Sequence, residues 1–532
     1  MSTRVYWRGP FFTGSSIAIV NRRLAGALLA RGKVDLSFGT DPLVASSLPA
    51  EFRAFAERTR FGAESADVTV LHEWPPRFAV PARSRYVHVQ PWEFGSMPAS
   101  WFEALHDDCD EIWVHSTYNR DAYLDAGIDP SRVAVIPHGV DHAVFNRDVP
   151  RPDTGDTRFR FLFVGGTIPR KGIDVLVNAY MQAFGPSDDV ALLIKDIDAS
   201  FYGGQSRGDE LRALATRPGV PRIEYVSATW PDATMAQLFR TADCFVLPYR
   251  GEGFGLPVLE AMACGLPVIV TEGGATDDFV DDAVGWRIPS RRVELDPAVV
   301  PFPTVTNPWI REPDSDALAA LLRSVYRNRE EAQTRGTAAA ARTRADWTWE
   351  RSAAKVEERL EAIRREPPVT PKRRHLRYAD PAFADDGVVV ETFRRIGTAR
   401  PFFVEIGTRE NSGIAATFAK GFGWPGVTLE DVRPESIADL LVRQHAPKTF
   451  DLLSLSCDAA KAIWDALAAY EPRVVVGAGD IAVHPGYVPV ARGVFVREDL
   501  AARAGFETQP LTYSARADCQ SPQVRQGAGS SA

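Results

Sequence analysis

The chain has 532 residues, 45% of them hydrophobic and 24% charged, with a formal net charge of −8. That length allows about three domains with cores of their own, and the balance is that of a soluble globular protein. An acidic chain with no long apolar run reads neither as a general nucleic-acid binder nor as a membrane-spanning protein, while peripheral contact with a membrane surface stays open.

Cys109, Cys244, Cys264, Cys457 and Cys519 are scattered, odd in number and form no C-x-x-C pair. Thiols in a reducing compartment are the simple account, which suggests a cytoplasmic protein, with the inner membrane surface as the site of any peripheral contact. The first ten residues lack the apolar core of a signal sequence and read instead as a first strand.

Arg4–Trp7 is that strand, and Gly9–Ser16 is a Gly/Ser turn opening into a helix through Ala30. Such a turn at the carboxyl end of a parallel strand commonly faces a ligand. Strand-like Val68–Leu71 ends in His72-Glu-Trp-Pro-Pro, and Arg85–Gln90 ends in Pro91-Trp-Glu-Phe-Gly95. Both place polar and aromatic groups where an α/β sheet presents its active edge. Trp92 offers a ring face for stacking on a sugar and Glu93 a carboxylate for its hydroxyls. Glu93 ranks above His72 and His88, which read equally well as hydrogen-bonded core histidines. Glu111–Thr117, a helix from Tyr118 to Ala126, and Arg132–Asp141 complete the first domain, with Gly139 expected to need an unusual backbone angle.

Arg158–Gly165 is a strand of the buried type, followed by Gly166-Thr-Ile-Pro-Arg-Lys-Gly172 and a helix from Ile173. Ala191–Asp196 carries Lys195. Val220–Val226 and Thr234–Thr241 read as strand and helix, and two apolar strands, Ala242–Pro248 and Pro267–Thr271, flank the segment Glu252-Gly-Phe-Gly-Leu-Pro-Val-Leu-Glu260. Here Pro257 suits the start of a helix and Gly265 its left-handed end. Gly253 and Gly255 allow close backbone approach, and the helix start favours an anion. Two carboxylates beside an anion site suit a ligand with both phosphate and hydroxyl groups. Beyond Glu272–Asp278 and Gly285–Ile288, helical signal runs from Pro313 to about Arg365, with Trp347–Glu350 opening the last helix.

The stretch from Arg364 to Arg377 is proline-rich and basic, the composition of a linker. A new α/β pattern follows in Phe402–Gly407, Gly426–Glu430, Phe450–Leu455 and Glu471–Val476, and the last residues are rich in Gly, Ser and Gln.

The spacing Glu252…Glu260 resembles the E-x7-E element of family-four retaining glycosyltransferases, and the resemblance covers residues 1–365. It implies a GT-B fold: α/β, two Rossmann-like domains facing a cleft, here followed by a smaller C-terminal α/β domain. It also implies a sugar passing from a nucleotide-sugar donor to a hydroxyl of a glycan, glycolipid or glycoconjugate acceptor, as in a hexosyltransferase of polysaccharide biosynthesis. Glu252 would contact sugar hydroxyls near the anomeric centre, Glu260 would hold the ribose, and backbone amides at Phe254, Gly255 and Leu256 would touch the diphosphate. Gly14 and Ser15 would approach the donor or the acceptor. Lys171 aligns with the family's diphosphate-neutralising lysine. The partner arginine is replaced by Gly166, which leaves Arg170 or Lys195 to supply that charge. The catalytic-region histidine does not carry over, and Glu93 stands at the end of its strand. No metal and no cofactor are required on this reading.

The implied organisation is an acceptor domain at 1–150, a donor domain at 151–345, a crossover helix at 346–365, a linker at 366–380, an α/β domain at 381–518 and a disordered tail at 519–532. The 381–518 segment is similar to FkbM-like S-adenosylmethionine-dependent methyltransferases, with a poor glycine loop at Gly407–Gly413 and a loose match at Ser456–Asp458. A degenerate domain for acceptor binding or dimerisation is favoured over an active one. The other readings are a bifunctional glycosyltransferase and methyltransferase, a non-catalytic carbohydrate-binding scaffold, and a sugar phosphorylase.

Overall fold

The computed structural model describes residues 2–13, 15–39, 58, 60–74, 76–78, 81, 84–197, 206–296, 303–365, 377–378, 399, 401–406, 424–429, 433–455, 466–467, 469–477, 487–491 and 494–503. Gly14, the glycine loop at 407–413, Glu430, residues 456–458 and the segment 519–532 lie outside these residues, as does all of the linker segment beyond Arg365 except residues 377 and 378. The chain divides into two compact units, Met1–Ala379 and Asp380–Ala532.

The first unit opens with strands β1 (Thr3–Arg8), β2 (Val34–Gly39), β3 (Val68–Leu71), β4 (Arg77–Phe78), β5 (Arg85–Val89), β6 (Glu111–Val114) and β7 (Val133–Val135). All but β4 form a parallel sheet in the order β2-β1-β3-β5-β6-β7. Val5, Trp7, Val68, Val70, Val87 and Val89 pack beneath Leu24 and Leu28 of the helix Ser16–Arg31. That helix starts where it does because the Ser15 hydroxyl accepts the Ala18 amide at 3.3 Å, and it stops at Gly32, which turns left-handed at φ 66°.

The second sheet comprises β8 (Phe159–Val164), β9 (Val190–Asp196), β10 (Arg222–Ser227), β11 (Cys244–Leu247), β12 (Val268–Thr271) and β13 (Gly285–Ile288). It is parallel throughout, in the order β10-β9-β8-β11-β12-β13. Every residue of β8 is buried, Arg160 included, as expected where helices cover both faces of a parallel sheet. An antiparallel hairpin, β14 (Ser290–Glu294) and β15 (Trp309–Pro313), extends from this sheet, and β16 (Arg377–Tyr378) pairs with β4.

The helix Trp349–Arg365 returns to the first sheet. Trp349, Ala353, Val356, Leu360 and Ile363 share a core with β1 and β3, and Arg359 grips buried Glu111 through two bonds of 2.9 and 2.6 Å. The path of the chain into this helix explains Gly139. Its backbone is not in the left-handed region, contrary to the angle expected from sequence; what it supplies is space. A Cβ there would stand 2.1 Å from the Trp349 amide nitrogen, while the neighbouring Val140 amide donates to the Trp347 carbonyl at 3.0 Å.

In the second unit β17 (Phe403–Ile406), β18 (Gly426–Leu429), β19 (Thr449–Leu455), β20 (Glu471–Gly477), β21 (Tyr487–Ala491) and β22 (Val494–Arg497) form one sheet in the order β18-β17-β19-β20-β22-β21. The first four run parallel, and β22 and β21 close the sheet antiparallel. Its core is Val404, Ile406, Phe450, Leu453 and Val475, and a buried Arg473–Asp451 ion pair of 2.8 Å ties β20 to β19.

Candidate active site

The carboxyl ends of the two parallel sheets of the first unit meet around one cluster of charges. After β8 the chain turns through Pro169–Lys171, and Gly172 follows at φ 70°. Its missing Cβ would sit 1.8 Å from the Pro248 carbonyl oxygen, so only glycine lets this turn lie against the loop that follows β11. The contact is sealed by the Arg250 amide, which donates to the Arg170 carbonyl at 2.7 Å. Arg250 itself fixes the loop from the other side, bonding both Asp174 at 2.8 Å and Glu312 at 2.6 Å.

This packing delivers Lys171 to Glu252. The two form a hydrogen-bonded ion pair in which each side chain is 12% exposed. Arg170 lies 3.9 Å from the same carboxylate, donates to the Gly251 carbonyl at 2.8 Å, and reaches across the cleft to Glu93 at 3.3 Å. Burial opposes ionisation of Glu252, but Lys171, Arg170 and the Gly253 amide outweigh it and hold the carboxyl below its usual range. Gly251 has no room for a side chain: a Cβ would meet the Glu93 carbonyl oxygen at 2.2 Å. Glu93, Arg170, Lys171 and Glu252 are thus one connected group.

Glu260 lies on the helix Leu256–Ala263, one turn in, as its spacing from Glu252 requires. Gly255, at φ 96°, caps that helix, and Gly265, at φ 83°, follows its end. The first amides of any helix lack intrahelical partners, so Phe254, Gly255 and Leu256 present an anion-favouring end. The Phe254 side chain takes no part: it is buried against His138 and Phe279, with ring centroids 4.4 and 5.2 Å away.

Glu260 is in a different electrostatic state from Glu252. Desolvation, with Asp232 adding to it and Arg23 opposing, pushes its pKa up to about 8. Between the ordinary value near 4.5 and 8, the folded state alone holds the proton. Stability therefore falls as pH rises through that window and levels off above 8. Glu260→Gln removes the titration. Its unfolding midpoint is expected to exceed that of the wild type by an amount that is small at pH 5 and largest near pH 9, as thermal melts at the two pH values will read.

The remaining residues expected at the site fall in different places. Gly166 directly follows Gly165 at the end of β8, and the next residue, Thr167, donates its hydroxyl to Asp196 at 2.6 Å. Lys195 donates to the carbonyls of Asp196 and Ala228 and lies over the Trp230 ring at 5.1 Å; burial lowers its pKa. Ser15 is the helix cap described above. Trp92 corrects an expectation: it is buried, its indole N–H is bonded to the Ser96 carbonyl at 2.6 Å, and Trp101 packs edge-on against it at 5.0 Å. No ring face is left for a sugar. The exposed indole nearby is Trp74, 53% exposed and stacked on Trp92 at 6.5 Å.

Sequence reasoning passed over several groups that the fold brings to this cleft. Arg23, in the first helix, bonds Asp141 and Asp232 at 2.6 Å each. Ser116 donates to the Gly253 carbonyl at 2.8 Å, and the Thr117 amide to Asp278 at 2.8 Å. His115 and His138, both passed over, join His72, which the sequence had already offered as a core histidine, in a buried column with ring centroids 5.6 and 4.1 Å apart. Desolvation, above all, keeps all three imidazoles neutral, holding His115 at about 4 and the other two well below 6.5. His115 and His138 stand just beyond β6 and β7, so their place after a strand end was the available signal. Arg23 carried no signal, because its partners are over a hundred residues away.

The match to known families divides as the fold does. Residues 3–144 match the model of Glycosyltransferase Family 4, and residues 158–296 match that of Glycosyl transferases group 1. The D-inositol 3-phosphate glycosyltransferase of Thermomonospora curvata is 32% identical over 169 residues, which are 29% of this chain and 39% of that protein. D-inositol 3-phosphate glycosyltransferase 1 of Catenulispora acidiphila is 30% identical over 234 residues, 40% of this chain and 55% of its own. The chain thus spans about half, or less, of the length of these curated relatives. The crystal structure of a glycosyltransferase from Rickettsia africae superposes with a TM-score of 0.52 at 13% identity, over 69% of this chain and all of that one.

Proposed function

We propose that this chain, whose first unit carries two glycosyltransferase domains in the GT-B arrangement, is a retaining enzyme that moves a sugar from a nucleotide-sugar donor to an acceptor hydroxyl. The observation that carries this reading is the group Glu93–Arg170–Lys171–Glu252, assembled from both domains at the carboxyl ends of their sheets. Breaking a glycosidic bond to a nucleoside diphosphate builds negative charge on the departing phosphates, and preorganised cations and amides lower that barrier. Lys171 and Arg170 are such cations, and the amides opening the helix at Leu256 add to them. Glu252, held ionised, orients hydroxyls of the sugar near its anomeric carbon. Glu260 takes the ribose hydroxyls. The leaving phosphate can accept the proton of the incoming hydroxyl, which places acceptor and leaving group on one face of the sugar and asks for no protein base. No metal ion is called for in this scheme. The relatives' names point to a polyol phosphate as one acceptor class to try, beside glycans and glycolipids. A cytoplasmic enzyme working at the inner membrane surface fits acceptors of the lipid-linked kind.

The test is a thermal-shift screen of the full chain against UDP, GDP, ADP and their sugars, with S-adenosylmethionine included. Stabilisation by one nucleotide series, abolished by Glu260→Ala, supports the donor site and names its base. No shift with any nucleotide overturns it in favour of a carbohydrate-binding scaffold.

A second reading, in which the second unit adds a methyl group, draws on the order β18-β17-β19-β20-β22-β21. It places a doubly wound switch point at the carboxyl ends of β17 and β19, where nucleosides bind in such sheets. A shift with S-adenosylmethionine alone would move the chemistry to that unit.

A further inference from the structure

The hairpin β14–β15 carries an arrangement that folding alone does not explain. Its register sets Arg292 directly opposite Arg311. Like charges in that position on an antiparallel pair repel. Both guanidinium groups lie on one indole, with Arg292 4.3 Å and Arg311 5.5 Å from the Trp309 ring centroid. Of the nearby carboxylates, Glu312 pairs with Arg250 at 2.6 Å, Glu272 with Arg287 at 3.9 Å and Glu93 with Arg170 at 3.3 Å, while Asp277 accepts the Gly273 amide at 2.8 Å and feels the charge of Arg311 without forming an ion pair with it. Neither arginine has an ion-pair partner among the described residues.

Arg311 is the more deeply placed. Its Nε is buried without a hydrogen-bond partner. Its guanidinium carbon lies against Gly273, where a Cβ would come within 2.9 Å; Gly273 stands at φ 79° in the loop after β12. A glycine at that point lets the cation reach the carboxyl edge of the sheet. Trp309 meets Tyr118 edge-on at 5.8 Å, and Tyr118 in turn donates to the Glu93 carbonyl at 3.3 Å. The arginine pair therefore borders the cluster of Glu93, Arg170, Lys171 and Glu252. With its four cations against the carboxylates of Glu93, Glu252 and Asp277, the combined site keeps a surplus of one positive charge, which suits a phosphate-bearing ligand.

We propose that Arg311, backed by Arg292, binds a phosphoryl group of a substrate in the cleft. This rests on the glycosyltransferase reading above. A planar guanidinium offers a phosphate two parallel hydrogen bonds, and an anion seated there converts the repulsion within the hairpin into shared attraction. The phosphoryl group belongs either to the nucleoside diphosphate or to a phosphorylated acceptor, and binding measurements separate the two.

The experiment is calorimetric titration of the wild type, Arg311→Ala, Arg311→Lys and Arg292→Ala with UDP, GDP and ADP, with the matching monophosphates, and with inorganic phosphate added to nucleotide-saturated protein. The expected result is a loss of at least about tenfold in diphosphate affinity for Arg311→Ala, a smaller loss for Arg292→Ala, and unchanged monophosphate affinity. If nucleotide affinities hold while inorganic phosphate binding is lost, the site serves the acceptor. Wild-type affinity for both ligand types in Arg311→Ala and Arg292→Ala overturns the proposal. If the wild type binds no nucleotide, the donor reading fails, and inorganic phosphate titrated into the free protein then decides this one: Arg311-dependent binding keeps the phosphoryl site, and binding unaffected by Arg311→Ala overturns it. Should the alanine variant not fold, the lysine variant keeps the charge and stem, and its diphosphate-to-monophosphate affinity ratio decides.

Discussion

Lys171→Ala is expected to lower turnover by about a thousandfold while leaving the unfolding midpoint within a few degrees of wild type. The lysine stands on a turn whose backbone is held by Gly172 against Pro248, so its removal does not unseat the loop. What changes is electrostatic. Glu252 loses the largest of the attractions that oppose its burial and keeps Arg170 at 3.9 Å. Its carboxyl then titrates higher, and the residual activity should acquire an acid limb absent from the wild type. Glu252→Gln gives the complementary result. Turnover falls by about a hundredfold or more, but Lys171 is freed for phosphate, so nucleoside diphosphate affinity holds or rises. Measuring nucleoside diphosphate release across pH for both variants separates these effects. Full activity in both variants would remove the site from these residues.

Gly139→Ala is expected to destabilise the first unit by about 3 kcal/mol, a large share of a typical domain's stability. The new methyl group would stand 2.1 Å from the Trp349 nitrogen and 2.3 Å from the Thr348 carbonyl carbon, backbone atoms that cannot rotate away. Relief requires the start of the returning helix to shift. That shift strains the Val140–Trp347 hydrogen bond and the packing of Trp349 on His138, whose ring centroids are 5.8 Å apart. Urea unfolding followed by tryptophan fluorescence reads the loss. An unchanged midpoint would mean that the helix does not dock as described.

How far the sequence could be read depended on the range of the forces involved. The apolar runs of β8 and β11, the turn at Gly253–Gly255 and the placement of Glu260 one turn into its helix follow from local pattern, and they were legible. The resemblance implied that Lys171 and Glu252 serve one donor site, but their ion pair was not legible, since the partners lie 81 residues apart. Trp92 was misread because a Trp-Glu pair at a strand end looks the same whether the ring faces a ligand or a core. Only the packing of Trp74 and Trp101 decides that. Gly139 was noticed for the wrong reason: close approach of a distant helix leaves no trace in neighbouring residues. The Arg292–Arg311 opposition was invisible, because the hairpin's register is set across an intervening loop.

The most direct test of the central claim is proton NMR of the protein with the α-linked nucleotide-sugar that the thermal-shift screen selects and no acceptor, so that water takes the sugar. The coupling at the anomeric proton is followed before the free sugar equilibrates. First appearance of the α-anomer, dependent on Glu252 and Lys171, is the result predicted for a retaining transfer in this cleft. First appearance of the β-anomer, or release unaffected by either substitution, would contradict it.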